Sequence, residues 1–267
     1  MKKYLSFFRI RFLNSLQYRA AAYAGMATQF FWGGMLVLMY RAFYRADAAA
    51  FPMAFQQTAS YVWLQQAFLW LFMTWGYDNE IFAQITQGTI AYELARPIPV
   101  YSMWFLKQAA NRSAGAFLRC IPVLTVSFLL PKPYGLMLPD SIQTLLLFLM
   151  TLVLGFFTML AFQMLAYILV FYTMSPSGVR MVMATAGEFL SGGLIPIPFM
   201  PQKMQDILTL TPFAAMQNLP LRVYIGDIAG GELANAVILQ LFWLAALLFV
   251  GNLWIRRALR RVVVQGG

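Results

Sequence analysis

The chain has 267 residues, of which 61% are hydrophobic and 10% charged, and its mean hydropathy is +0.67. Soluble domains carry roughly 25% charged residues, so this composition excludes a water-soluble enzyme, a disordered chain and a secreted disulfide scaffold. With no histidine and Cys120 as the single cysteine, it also excludes a His- or Cys-built metal site and His-based acid–base chemistry within the chain.

Residues 1–19 mix Lys2, Lys3, Arg9, Arg11 and Arg19 with Tyr4, Phe7, Phe8, Phe12 and Tyr18. Leu5, Phe8, Phe12 and Leu16 share a helical stripe, which predicts an elbow helix lying on the cytoplasmic leaflet. The apolar run that follows is too long for a signal-peptide core and lacks a small-residue cleavage pattern, so it reads as an uncleaved first span. A helix that crosses a bilayer needs about 20 apolar residues. On that criterion the chain is an all-α polytopic membrane protein, one domain over 1–267, with six spans at 20–40, 58–77, 114–130, 141–172, 179–195 and 233–254.

Between the second and third spans, residues 78–99 are polar enough to leave the bilayer. Asp78 suits a helix N-cap and Glu80 its first turn. Ile81, Phe82 and Ile85 then share one face while Glu80, Gln84 and Gln87 share the other. Gly88 suits the helix end, and Arg96-Pro97-Ile98-Pro99 stops a second short turn. The pattern fits a helix resting on headgroups and a docking element for a cytosolic partner equally well. Lys107 and Arg112, just before the third span, read as solvated or snorkelling flanks.

From Ser141 to Val179 there is no charge, and no turn signal appears before Ser175-Pro176-Ser177-Gly178, so one long helix is expected there. The fifth span is short and interrupted by Gly192 and Gly193. It runs into a Pro-rich apolar stretch, 196–220, expected to be a broken re-entrant segment on the outer side. Six spans put both ends on one side. With that side cytoplasmic, 14 of the 19 basic residues lie inside and 5 (Arg41, Arg45, Lys132, Lys203 and Arg222) outside, as the positive-inside rule prefers. The net charge of +10 is thus read as topology-setting flanks and not as a nucleic-acid surface.

Glu188 is the one acidic residue well inside an expected span, where a charge is costly and marks either a pathway or a structural pair. Arg180 and Arg119 are its candidate partners. Leu190-Ser191-Gly192-Gly193 has the look of an ATPase signature loop, but no Gly-Lys pair exists to form the phosphate loop that such a motif requires. It continues into Leu194-Ile195-Pro196, which is membrane sequence.

The order of parts, a basic elbow, two spans, a cytoplasmic amphipathic segment, four more spans and a broken stretch before the last, resembles the ABC type-2 permease family of exporters. Gln87-Gly88-Thr89-Ile90-Ala91-Tyr92-Glu93-Leu94-Ala95-Arg96-Pro97 is similar to the Gly-x-x-x-x-x-Leu-x-Arg-Pro pattern of a bacterial branch of that family. Ser191-Gly192-Gly193-Leu194-Ile195-Pro196 through Phe199-Met200-Pro201 is similar to that branch's fifth-span exit.

The resemblance implies a permease of the bacterial inner membrane with both termini cytoplasmic and no motor or cofactor of its own. It would form the translocation pathway with a second permease copy, and two ATPase subunits would bind ATP and Mg. It further implies that Asp78, Glu80, Ile81, Phe82, Ile85 and Gly88 form a coupling helix gripped by an ATPase, braced by Glu93 and Arg96. Glu188, Gly192 and Gly193 are pathway candidates. An ion-coupled secondary transporter or a non-transporting membrane scaffold are the rival readings; the first usually shows internal repeats and several intramembrane charges.

Overall fold

A computed structural model describes residues 2–17 and 19–261. Tyr18 of the expected elbow, Met1 and the last six residues lie outside the described residues. Those described form helices and turns, with no strand among them.

The centre is α8, Ile142–Thr173, started by Ser141, whose hydroxyl accepts the Thr144 N–H at 3.1 Å. Its mean hydropathy of 2.5 extends all round the helix, and such a helix has no face to offer water and becomes a core element. Phe156, Met159, Leu160, Tyr167 and Ile168 are accordingly buried. Around it pack α12 (Gly230–Leu259), α7 (Val100–Leu129) and α9 (Pro176–Leu190). By length and composition α7, α8 and α12 could each cross a membrane; at 30, 32 and 30 residues they are roughly 45–48 Å long.

On one flank lie α1 (Lys2–Ser15), which packs along α7, and α2 (Arg19–Ala46). The region expected as the second span is two pieces, α3 (Phe55–Ala67) and α4 (Leu69–Phe72), separated at Phe68. Two short helices follow, α5 (Asn79–Thr86) and α6 (Ala91–Leu94). The stretch expected to be re-entrant is broken as its prolines and glycines dictate. It contains α10 (Gln202–Thr209), a π-helical turn at Ala214–Asn218 and α11 (Leu219–Tyr224), which packs back on α8.

One boundary needs correction. The helix containing the expected third span begins at Val100, not near residue 114. Its first half carries Lys107, Gln108 and Arg112, which broke the hydropathy pattern, yet all three are buried between neighbouring helices. Outward faces remain apolar, with Phe31 on α2, Leu146 on α8 and Phe249 on α12 all 60–70% exposed in the single chain (69%, 61% and 70%). Lipid is as apolar as those side chains, so close packing and interhelical hydrogen bonds, more than burial from water, hold such helices together.

Candidate coupling interface

After Phe72 the backbone leaves helical geometry, and Met73 to Asp78 cross to α5 without a ladder of their own. Their carbonyls need donors, because an unpaired peptide group away from water costs several kcal/mol in apolar surroundings. Arg112 supplies them. Its Nη1 donates to Trp70 O at 3.3 Å and Leu71 O at 2.9 Å, and its Nη2 to Met73 O at 2.9 Å and Gly76 O at 2.8 Å. The guanidinium therefore caps α4 at the end where a helix dipole favours a cation. Gln163 on α8 adds its Nε2, 3.3 Å from both Met73 O and Thr74 O. The Asp78 N–H donates to the Tyr167 hydroxyl at 2.7 Å, which also accepts from Gln108 Nε2 at 2.5 Å.

Asp78 caps α5 as expected, accepting the Glu80 N–H at 2.9 Å. Its other oxygen lies 2.8 Å from Lys107 Nζ, and Glu80 Oε2 lies 2.5 Å from the same nitrogen. The Lys107 hydrogen bond and charge hold the Glu80 carboxyl below the usual carboxylate range, with partial burial opposing and Arg11 and Arg96 reinforcing the effect. Lys107 and Arg112 are thus not solvated flanks. Arg112 is buried against carbonyls that the break in the backbone leaves unpaired, and Lys107 against the Asp78 and Glu80 carboxylates.

The faces of α5 are as the sequence pattern predicts, but their roles differ from expectation. Ile81, Phe82 and Ile85 are buried within the chain, with Phe82 4.8 Å from the Tyr167 ring and 5.6 Å from Tyr77. They are not available to grip an ATPase, because the same chain already covers them. The outward face carries Glu80 and Gln87, with Gln84 half-buried beside them. Gly88 follows with a φ of +73°, a left-handed turn that glycine adopts without strain. Beyond it, Tyr92 is 76% exposed, and Glu93 pairs with Arg96 at 3.4 Å across the turn. That pair is half in solvent and contributes little stability. The elbow closes the arrangement, with Lys3 Nζ donating to Pro97 O at 2.6 Å and Ser15 Oγ to Asn111 Oδ1 at 2.8 Å.

The break also touches α9. Thr74 Oγ1 lies 2.9 Å from both Ala184 O and Glu188 Oε2, and Arg180 donates to Asn79 Oδ1 at 2.9 Å. Of the two readings of Glu188, the structural pair with Arg180 or Arg119 does not form among the described residues. Arg180 turns to Asn79, and Arg119 lies over the Trp70 ring at 3.9 Å and donates to Gly115 O. Gly192, with a φ of +82°, and Gly193 end this region. A Cβ on Gly193 would sit 2.5 Å from the Glu188 carboxylate, while Gly193 O accepts from Gln65 Nε2 at 2.6 Å.

A polar hub thus joins α4, α5, α7, α8 and α9 at the root of an amphipathic helix whose polar face is open. The profile of the family described as ABC-2 family transporter protein matches residues 30–266. The chain belongs to the ABC-2 transporter family. No curated protein matches it. As an ABC-2 protein it is the permease part of an ABC transporter, a membrane component that works with ABC ATPase subunits and is generally not catalytic itself.

The family match takes in the hub, α5 and the broken outer segment, and begins after α1. Arg112, Lys107, Gln108, Gln163, Tyr167 and Thr74 were not legible as site residues from composition. The signal that marks four of them is spacing: Gln108 with Arg112, and Gln163 with Tyr167, are polar pairs four apart, the second on an otherwise strongly apolar helix.

Proposed function

We propose that this ABC-2 permease is the membrane-spanning subunit of an ATP-driven exporter, with six spans and both ends cytoplasmic. The spans would be α2, α3 with α4, α7, α8, α9 with the turn after it, and α12. A second copy or a similar permease completes the pathway, and two ATPase subunits holding ATP and Mg drive it. The observation that carries this reading is the hub behind α5: an exposed helix whose root is hydrogen-bonded directly to α9. An ATPase that presses on Glu80, Gln84, Gln87 and Tyr92 displaces α5 as a unit, because its apolar face is fastened to the core. Arg112 and Lys107 keep the break from yielding, so the displacement passes through Thr74 and Asn79 to Glu188 and Arg180. Glu188, Gly192 and Gly193 then form the joint at which α9 responds, and the pathway lies beside it.

The test uses single cysteines in a Cys120→Ser background. Cysteines replacing Arg45 and Lys132 are expected to react with an impermeant thiol reagent from outside intact cells, and one replacing Gln87 only after lysis. The Gln87→Cys protein is expected to cross-link to a co-expressed ATPase subunit. External labelling at position 87, or cross-linking that persists equally with no ATPase-facing cysteine on α5, overturns the reading.

A further inference from the structure

Where the coupling segment meets the last helix, a cleft of about 410 Å³ opens between residues 94–102 and the end of α12. Arg96 and Arg256 line it from opposite sides, with Ser102 and Asn252 as further polar groups and Ile98 and Leu259 as apolar walls. Among the described residues no carboxylate lines it. Arg256 makes no hydrogen bond or ion pair among the described residues, and Arg96 is only loosely engaged by Glu93 at 3.4 Å, its side chain 48% exposed. The cleft thus presents two cations from separate elements, and an anion that enters it meets both.

The position of the cleft says what that anion is attached to. On α12, Phe249, Leu253, Arg256 and Arg260 fall on one helical stripe at intervals of four, three and four residues. Phe249 is 70% exposed and Leu253 41%, so the stripe changes from outward-facing apolar side chains to arginine within two turns. At the same level Trp254 lies 6.2 Å from Tyr172, and Arg261 stands over the Tyr172 ring at 5.3 Å. Aromatic rings interleaved with arginines at a helix end mark the headgroup layer.

We propose that the cleft seats the phosphate of an anionic inner-leaflet phospholipid between Arg96 and Arg256, with an acyl chain lying along Leu253 and Phe249. This rests on the topology proposed above, which puts the end of α12 at the inner headgroups. The bound lipid ties the end of the coupling segment to the last span, so the membrane itself becomes part of the lever's fulcrum. Phosphate chemistry alone would also suit a soluble anion; the apolar stripe leading out of the cleft favours the lipid.

Native mass spectrometry of the purified permease, titrated with phosphatidylglycerol or phosphatidylcholine, tests this. Phosphatidylglycerol is expected to be retained preferentially, and Arg96→Gln and Arg256→Gln are each expected to weaken it about fivefold, the worth of one basic residue near an anionic surface. Arg96→Lys should retain most of the binding, and Arg257→Gln, on the same helix end but outside the cleft, all of it. Equal loss in Arg257→Gln, or no loss in the Arg96→Gln/Arg256→Gln double variant, overturns the site. Displacement of the lipid by millimolar inorganic phosphate or glycerophosphoglycerol shows a free-anion site and overturns the lipid assignment. ATPase association and Gln87→Cys labelling, measured on the same preparations, report separately on the transporter reading.

Discussion

Two breaks in the helices, at Met73–Asp78 and after Gly193, are satisfied differently; on the topology proposed above the first is the inner break and the second the outer. At the inner break, Met73 to Asp78, the freed peptide groups are held by side chains from distant helices, Arg112 on α7 and Gln163 and Tyr167 on α8. At the outer break, after Gly193, many of the ties are local. Gln205 Nε2 donates to Pro198 O at 3.0 Å and Met200 O at 2.8 Å within the same loop, and short helical turns satisfy much of the rest. The distant donors there are uncharged, among them Gln65 to Gly193 O, Gln240 to Ala215 O, the Trp243 indole to Leu210 O and Gln57 to Ile225 O. A break held from afar transmits displacement to the elements that hold it, whereas one that satisfies itself can move as a small unit.

Four substitutions sharpen or break this contrast. The largest effect is expected from Arg112→Met, which removes the donor to four carbonyls at once. Each orphaned group costs about 1–3 kcal/mol, and relief of the buried charge offsets part of this. A net loss on the order of 3 kcal/mol should lower the thermal unfolding midpoint of the detergent-purified protein by many degrees and abolish ATPase association. Full stability in this variant would mean that the inner break does not depend on the hub.

Gly115→Ala probes the same end sterically. The added Cβ would lie 2.0 Å from the Trp70 indole, which is itself covered by Arg119. Overpacking of this kind costs about 1–3 kcal/mol, readable in the same unfolding assay, and a shift of less than a degree would contradict it.

At the outer break, Gln205→Leu should cost about 1 kcal/mol for its two local bonds and leave co-purification with the ATPase unchanged. Loss of ATPase association in that variant would erase the distinction between the breaks.

The smallest effect belongs to Glu80→Gln. Glu80's side chain is 61% exposed, so its ion pair is worth under about 1 kcal/mol. Because Lys107 lowers the Glu80 carboxyl in the folded protein, the pair's contribution is present above the ordinary carboxyl value of 4.5 and fades as pH falls through the lower folded value. Glu80→Gln should therefore lower stability at pH 7 by under about 1 kcal/mol and flatten the fall below about pH 4.5, where the two proteins converge.

Much of this architecture was legible without coordinates, and the misreadings have a common cause. The α5 cap at Asp78 and the two faces of the helix follow from local rules, since capping and helical spacing involve residues within a turn of one another. Which face is free does not. Ile81, Phe82 and Ile85 look like a docking surface until Tyr167 and Trp104, some 80 and 20 residues further on, are seen to come from the chain itself as the cover. Lys107 and Arg112 were assigned to water on the rule that charge avoids apolar surroundings. That rule has an exception where partners wait inside, freed carbonyls for Arg112 and two carboxylates for Lys107. The arginines named as candidate structural partners of Glu188 turn elsewhere, whereas Thr74, at a helix break no hydropathy scan resolves, lies against it.

The sequence by itself determined the solvent, the helical class, the long uncharged helix and the place of the amphipathic segment. Each depends on composition or on contacts within one or two turns. Only the tertiary structure decided which charges are buried, which face of α5 remains open and that the break at Met73–Asp78 is bolted to α9. Those outcomes depend on where backbone groups are left without partners, a property of how helices end and meet, which the order of side chains along one helix does not carry.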